Sequence, residues 1–227
     1  MIYSITITFS DLITARLPGM CLGNLVAENL IVTRQSPLVD SATQELTQFI
    51  LQKFAGRPPS TDAVISAVRR MYRRIGWEPT QYRPAAEALI RRILKGSGLY
   101  QINNLVDLAN IISTRFHLPM GLYDLDKIKP AIEVDVGRAG ESYQGIYKDI
   151  IHADGKLVLR DSEGIFGNPT ADSARTCINP DTKNILAVFF TPAEIEQSYL
   201  DQTLTALITF YQQECPQCRI EKYIVKP

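Results

Sequence analysis

The 227-residue chain is poor in the side chains that most often carry metal, redox and acid–base chemistry, with two histidines and four cysteines. It also has no excess charge of one sign, because 24 basic residues match 24 acidic ones. A surface that binds nucleic acid over its whole extent is therefore excluded. No uncharged apolar run approaches the roughly 18 residues that a membrane span requires. The composition is that of a globular protein.

The N-terminus lacks the pattern of a secretory leader. No basic residue precedes the apolar stretch 2–9, and Asp11 follows it closely, so a cleaved signal peptide is not expected. Without an export signal, the four cysteines are expected to be reduced thiols. We therefore predict a cytoplasmic protein with no membrane partner.

The few candidate metal ligands do not form a recognisable set. Cys215 and Cys218 have the CxxC spacing of half a zinc site or of a redox pair, but the other cysteines supply no second pair with ligand spacing. An ordinary turn is favoured there. His117, at a predicted helix end, is expected to have a structural role, and His152 to lie at a hairpin turn. No metal, cofactor or catalytic side chain is predicted.

Basic residues concentrate in two predicted helices between positions 69 and 95. This stretch contains eight basic and two acidic residues, so the rest of the chain is net acidic. One helix follows Ser60 or Thr61 and the other begins at Pro84, and in each the arginines lie largely off the apolar stripe. Two basic faces of this kind predict a local contact with phosphates. The predicted RNA-binding residues are Arg69, Arg70, Arg73, Arg74, Arg91 and Arg92.

The order of the elements indicates an α+β fold with flanking helices. Helices are predicted mainly in the first half, and strand-like segments dominate the second half, which differs from regular βαβ alternation. The final helix is expected to begin at Thr191 and to end near Gln213. The other predicted elements are strands at 2–9, 25–33, 131–136, 156–161 and 185–190 and helices at 45–54 and 104–116.

Two polar segments could contact a ligand. One face of helix 104–116 is polar, at intervals of four, three and four residues; it is equally well explained as a solvated face. Segment 161–176 is rich in small polar residues and predicts a long binding loop, although turns use the same residues. The polar residues of the helix face are Asn103, Asp107, Asn110 and Thr114.

Several motifs, taken in order, resemble the B3/B4 domain of the phenylalanyl-tRNA synthetase beta subunit. They are RPAAEALIRR at 83–92, INNLVDLAN at 102–110, LP at 118–119 and YDLD at 123–126. Gly140-Glu141 and the stretch 167–173 fit stand-alone relatives of that domain. The resemblance implies a small closed, barrel-like β core within a B3/B4-like tRNA-binding domain at 61–191. Residues 1–60 would be an N-terminal extension, and 192–227 a C-terminal helix and tail of the same globule.

The resemblance also implies a function. In that family the domain binds tRNA and, in bacterial synthetases, hydrolyses tyrosine wrongly attached to the phenylalanine tRNA. A free-standing relative would take tRNA or aminoacyl-tRNA as its partner, rather than DNA, and would hydrolyse misacylated tRNA in trans. The synthetases usually carry a histidine where this chain has Gly121. Two alternatives therefore stay open: a catalytically silent module that binds an amino acid or tRNA, and an interaction module that docks an acidic protein.

Ester hydrolysis requires a positioned water and donors for the developing oxyanion. We expect the polar residues of the two segments to line one pocket, with backbone amides near Gly167 as the donors. The predicted substrate-binding residues are Asn103, Asp107, Asp124, Glu141, Gly167, Asn168, Thr170, Asp172, Ser173 and Thr176.

Overall fold

The computed structural model describes residues 5–147 and 149–227, which contain six α-helices and eleven strands. The helices are α1 (Asp11–Arg16), α2 (Pro37–Lys53), α3 (Ala63–Arg74), α4 (Ala85–Leu94), α5 (Asn104–Phe116) and α6 (Gln197–Glu214). The strands are β1 (Ile7–Phe9), β2 (Cys21–Glu28), β3 (Met120–Asp124), β4 (Ile132–Val136), β5 (Ser142–Gln144), β6 (Ile150–His152), β7 (Leu157–Asp161), β8 (Gly164–Asn168), β9 (Ala171–Asp172), β10 (Ile185–Thr191) and β11 (Arg219–Val225).

Side-chain caps fix where three of the helices begin. Ser36 accepts a hydrogen bond from the amide of Val39, so α2 starts eight residues before the helix predicted at 45. Asp62, rather than Ser60 or Thr61, caps α3. Asn103 caps α5, whose bounds match the predicted helix 104–116.

The strands form two larger sheets and a hairpin. One sheet has the order β1-β4-β7-β8-β9, the other has the order β11-β2-β10-β3, and β5 pairs with β6. Strand β10 is buried along its whole length because β2 and β3 flank it in antiparallel pairing. The predicted mixed α+β class is confirmed. Within the described residues both larger sheets have end strands, so the β core is not the closed barrel that the resemblance implied.

One apolar cluster joins the helices to both larger sheets. It contains Leu46 from α2, Leu122 and Phe189 from the second sheet, Leu159 from the first, and Leu204 from α6. Core residues therefore come from all three predicted segments of the chain, whose division stays a prediction. None of the helices in the described ranges has the length and apolar character needed to cross a bilayer.

Three predicted elements differ from the observed ones. Segment 161–176 is not one long loop, because it contains the paired strands β8 and β9. Strand β10 continues to Thr191, so α6 begins six residues later than predicted. The strand predicted at 25–33 is observed at Cys21–Glu28. Part of the first predicted strand, residues 2–4, lies outside the described residues.

The CxxC segment forms the turn between α6 and β11. The amide of Cys218 donates to the carbonyl of Cys215 at 2.9 Å, and the Sγ of Cys215 accepts from the amide of Ile31 at 3.4 Å. The contact with Ile31 anchors the turn to the segment between β2 and α2. In the part of the chain that the structure describes, no group of three or more histidine, cysteine or acidic side chains is arranged to hold a metal ion.

Candidate functional site

A small pocket opens between α5, the edge strands β3 and β9, and the segment after β5. Its volume is about 110 Å³, below the roughly 300–1,000 Å³ of sites for drug-sized ligands, so it suits a group the size of one amino-acid side chain. The lining is mainly apolar, with Asp172 as its acidic residue. The lining residues are Ile102, Val106, Ala109, Asn110, Met120, Leu122, Ile146, Tyr147, Asp172, Cys177 and Ile178.

A hydrogen-bonded turn between β8 and β9 positions Asp172. The Oδ1 of Asn168 accepts from the amide and the hydroxyl of Thr170, both at 2.7 Å, and from the amide of Ala171 at 2.9 Å. The Nδ2 of Asn168 donates at 2.8 Å to the hydroxyl of Tyr143, which donates in turn to the carbonyl of Ala171 at 2.6 Å. Asn168 and Thr170 therefore shape the turn rather than the pocket wall.

The carboxyl group of Asp172 is incompletely satisfied. Its Oδ2 accepts from the amide of Leu122 at 3.4 Å. Its Oδ1 and the hydroxyl of Tyr123 are both buried and make no hydrogen bond of standard geometry among the described residues, but the two side chains lie close enough to shift each other's pKa. Burial raises the pKa of Asp172 to about 7, although the neighbouring Tyr123 hydroxyl and the Leu122 amide oppose the rise. Apart from this mutual contact, the two buried polar atoms lack partners among the described residues, which is rare in folded proteins.

Two glycines make room for the Tyr123 ring. A Cβ at Gly121, two residues earlier on the same face of β3, would overlap the Tyr123 hydroxyl. A Cβ at Gly167 on β8 would overlap it as well, and Phe166 packs edge-on against the ring at 4.9 Å between centroids. The synthetases usually have a histidine where this chain has Gly121, and here the space beside Gly121 is filled by the Tyr123 side chain.

Two predicted site residues lie at the start of α5. Asn103 is engaged as its cap. Both carboxylate oxygens of Asp107 accept from the amide of Ile102 at 3.1 Å, and burial raises the pKa of Asp107 to about 6 against that amide's opposing effect. Asp107 borders a separate polar cleft of about 350 Å³ that also includes Arg34. Neither residue lines the Asp172 pocket.

Two further acidic residues are held by partners distant in sequence. Asp124 accepts from the hydroxyl of Thr182 at 2.8 Å. Glu141 receives two hydrogen bonds from Arg160, at 3.0 and 2.9 Å, and this guanidinium lowers the pKa of Glu141 to about 2. Both carboxylates stabilise the fold where they lie.

The remaining predicted residues lie behind the pocket. The hydroxyls of Ser173 and Thr176 are 3.0 Å apart and buried, and Thr176 also donates to the carbonyl of Phe166. Gly167 lies within β8. The structure thus brings Asp172, with Asn110 of the polar helix face, to one pocket; a substrate-binding role for the other nine predicted residues stays a prediction.

The arginines of α3 and α4 share few carboxylates. Glu87, whose side chain is 1% exposed, lies 2.9 Å from both Arg69 and Arg91 and 4.0 Å from Arg83. Because three guanidinium groups share one carboxylate, this cluster keeps a net positive charge. Their role in binding RNA stays a prediction.

The other predicted RNA-binding arginines lie near the surface. Arg70 and Arg74 both approach Glu194, at 3.5 and 3.1 Å, so one excess positive charge remains there. Arg73 lies 3.8 Å from Glu78. The guanidinium of Arg92 lies over the Tyr100 ring, 4.0 Å from its centroid.

Comparison with known proteins identifies the domain. The family model described as B3/4 domain matches residues 67–206. The chain belongs to the B3/4 domain family. Its similarity to the B3/B4 region of the phenylalanyl-tRNA synthetase beta subunit is thereby confirmed.

Individual relatives define how far this B3/4 similarity extends. The phenylalanine–tRNA ligase beta subunit of Fusobacterium nucleatum is 30% identical over 116 residues, which are 46% of this chain and 14% of that subunit. The Bacillus subtilis protein YhzB is 19% identical over 207 residues, covering 91% of this chain and 93% of that protein. An N-terminal fragment of the phenylalanyl-tRNA synthetase beta subunit from Pyrococcus horikoshii matches the fold with a TM-score of 0.51 at 15% identity, covering 100% of this chain and 55% of the fragment.

The sequence analysis of this B3/4 domain missed Tyr123 and Tyr100 as site residues. Gly121 precedes Tyr123 by two residues and shares its face of β3, but no strand was predicted there, so this signal was not used. No local signal marks Tyr100, since its contact with Arg92 depends on how the chain turns after α4.

Proposed function

We propose that this B3/4 protein binds tRNA and hydrolyses misacylated aminoacyl-tRNA in trans, with the aminoacyl side chain in the Asp172 pocket. The family membership supports a tRNA-related role. The arginines of α3 and α4, which outnumber their carboxylate partners, would contact the tRNA phosphates. Such a protein would act in the cytoplasm, where aminoacyl-tRNA is used.

The observation that carries the proposal is the carboxyl group of Asp172, whose Oδ1 is buried and has no well-formed hydrogen bond, with the Tyr123 hydroxyl as its polar neighbour. An apolar side chain that ends in a hydrogen-bond donor would satisfy the carboxyl group and fill the apolar lining. The phenol of a tyrosyl ester has this combination. A site built to bond a hydroxyl rejects the analogue that lacks it, because its polar group would then stay unpaired. The pocket would therefore select tyrosine against phenylalanine.

Hydrolysis in this arrangement needs little from protein side chains. Water attacks the ester carbonyl carbon, the bond to the ribose oxygen breaks, and the free amino acid and the terminal ribose hydroxyl leave. A hydroxyl group of the tRNA itself can orient the water. The protein would contribute chiefly by holding the ester in position, a contribution that accounts for large rate effects.

A second candidate function is a silent module that binds a free amino acid or tRNA without chemistry. The position of Tyr123 favours it, since the Tyr123 hydroxyl takes up the space beside Gly121 where the synthetases usually have a histidine. In this case the Asp172 pocket would bind its ligand and release it unchanged.

A deacylation assay tests the proposal. Purified protein is offered tRNAs charged with tyrosine, phenylalanine and a panel of other amino acids, and loss of the ester is followed over time. The variant is Asp172→Asn, which keeps the shape of the side chain. The matched control is Asp181→Asn, because Asp181 is an exposed aspartate on the loop before β10.

The account expects hydrolysis of tyrosyl-tRNA above the uncatalysed rate, at least tenfold slower in Asp172→Asn and unchanged in Asp181→Asn. Salt-dependent tRNA binding without hydrolysis would replace the hydrolase with the silent module. Absence of tRNA binding would overturn both and favour docking of an acidic protein.

A further inference from the structure

A basic cleft of about 250 Å³ lies on α4 and the segment that follows it. The cationic side chains that border the cleft are those of Arg83, Arg91, Arg92 and Lys95. Among the described residues, no carboxylate borders it. Glu87, the nearest acidic partner, is almost fully buried beneath them and is shared with Arg69. The cleft therefore presents unbalanced positive charge to solvent.

The same cleft contains an exposed aromatic ring. Tyr100 is 53% exposed, and the Arg92 guanidinium lies 4.0 Å from the centroid of its ring. Arg92 and Lys95 have no carboxylate within ion-pair distance in the described ranges. A guanidinium that covers one face of a ring leaves the opposite face open for stacking.

One segment of the chain borders both this cleft and the Asp172 pocket. Tyr100 borders the cleft, and Ile102, two residues later, lines the pocket. Two residues of extended chain span at most about 7 Å. Successive nucleotides of one strand rise by about 3.4 Å when stacked. A nucleotide on Tyr100 would therefore lie within one or two nucleotides of the pocket entrance.

We propose that this cleft binds the single-stranded end of an RNA, with one base stacked on the open face of Tyr100 and the phosphates contacted by Arg92 and Lys95. The strand would then enter the Asp172 pocket past Ile102. Stacking on an aromatic ring combined with cationic contacts is the usual way in which proteins hold single strands without reading their sequence. The inference rests on the proposed function, because it assigns a path to the same RNA.

Fluorescence anisotropy with two labelled probes tests the inference. One probe is a single-stranded RNA of about eight nucleotides, within the site sizes of single-strand binders. The other is a blunt-ended RNA hairpin of similar length. The variants are Tyr100→Ala, Tyr100→Phe and Lys95→Gln. The control is Arg219→Ala, an exposed arginine on β11, at the other end of its sheet from β3.

The single strand is expected to bind more tightly than the hairpin. Tyr100→Ala should weaken its binding by roughly 5- to 150-fold, the effect of losing one base–aromatic stack, while Tyr100→Phe retains it. Lys95→Gln should reduce the slope of log K against log salt by about 0.7, whereas Tyr100→Ala should leave that slope unchanged. Arg219→Ala should change neither quantity.

Equal binding of both probes, or full binding by Tyr100→Ala, would overturn the inference. The two proposals fail separately. If tyrosyl-tRNA is hydrolysed equally well by Tyr100→Ala, the proposed function stands and the stacking site falls. If Tyr100-dependent binding occurs without hydrolysis by the wild-type protein, the stacking site stands and the hydrolase falls.

Discussion

Two partly buried aspartates of this protein, Asp62 and Asp172, occupy opposite electrostatic environments. Asp62, at the start of α3, accepts hydrogen bonds from two backbone amides and lies 3.0 Å from the Nδ1 of His117 and 3.1 Å from the Nζ of Lys53. Burial raises its pKa, but hydrogen bonds and charges from His117 and Lys53 outweigh that effect and hold it well below the usual range. Asp172 accepts a hydrogen bond from one backbone amide, that of Leu122, and its Oδ1 has no well-formed hydrogen bond among the described residues. Burial raises its pKa to about 7.

The two carboxylates differ in how completely the protein satisfies them. Asp62 ties together the end of α2, the start of α3 and the His117 that ends α5, so its environment is complete without a ligand. Asp172 follows the turn that Asn168 organises, and neither its Oδ1 nor the neighbouring Tyr123 hydroxyl has a well-formed hydrogen bond among the described residues. Sites that bind ligands often retain such unfavourable groups, at some loss of stability.

Replacing each aspartate by asparagine should give the largest difference in the free energy of unfolding between the two sites. Asp62→Asn leaves His117, whose side chain is 0% exposed, and Lys53 without their acidic partner, and we expect it to lower the free energy of unfolding by about 3 kcal/mol. Asp172→Asn should change it by less than about 1 kcal/mol or should raise it, because an orphaned carboxyl is removed. Urea denaturation measures both. Equal losses would show that Asp172 is as structural as Asp62.

The pH dependence of stability should have opposite signs at the two residues. The folded pKa of Asp172, about 7, lies above the unfolded value of about 3.9, so its effect on stability declines as the pH rises from about 4 to about 7. The slope has a limit of about 1.4 kcal/mol per pH unit. Asp62 has a lowered pKa, so its contribution is present above about pH 4 and is lost as the pH falls.

Unfolding of wild type and Asp172→Asn at several pH values tests this sign. Asp107, with a pKa of about 6 raised by burial, contributes in the same direction as Asp172. Asp107→Asn is therefore the matched comparison, and each variant should remove one part of the slope. A wild-type slope that Asp172→Asn leaves intact would rule out the raised pKa.

Enlarging Gly121 tests whether the pocket wall depends on Tyr123. A Cβ at 121 would overlap the Tyr123 hydroxyl, so Gly121→Ala should destabilise the fold by about 1–3 kcal/mol, the usual range for overpacking. Tyr123→Phe removes the nearest of the overlapping atoms but leaves the ring carbons Cζ and Cε2, so the double variant should recover part of that loss, at least about 0.5 kcal/mol. Additive effects in the cycle would contradict the close packing of this pair.

Surface ion pairs should give the smallest effect. Glu194→Gln frees Arg70 and Arg74, which are about half exposed, and it should change stability by no more than about 1 kcal/mol. The same variant should tighten tRNA binding at low salt, because one negative charge leaves the basic surface. Unchanged or weakened tRNA binding would count against RNA contact at these arginines.

The sequence predicts local features of this fold better than contacts between distant segments. Helix α5 spans Asn104–Phe116 as predicted, because its apolar spacing is local, although its cap is Asn103 rather than the Asn104 that marked the predicted start. Strand β2 begins four residues before the predicted strand, since pairing with both β10 and β11 fixes its bounds. Segment 161–176 forms paired strands for the same reason.

In the site, too, local features were predicted better than contacts between distant segments. Asp172 was predicted from its polar segment and from the family resemblance, and it does line a pocket. Glu141 and Asp124 belonged to the same prediction, but Arg160 and Thr182 engage them through contacts that no local pattern shows. The arginines of α3 were expected to lack acidic neighbours, yet Glu194, 120 residues from Arg74, supplies one.

Titration of the Asp172 carboxyl carbon by NMR shows whether this buried acid is stabilised by a bound ligand. The titration is run with and without a stable amide analogue of tyrosyl-adenosine, and Asp172→Asn assigns the signal. The account predicts a pKa near 7 in the free protein that falls when the analogue binds, because a donor to the charged carboxylate stabilises it. A pKa near 4 that the analogue does not move would contradict the account.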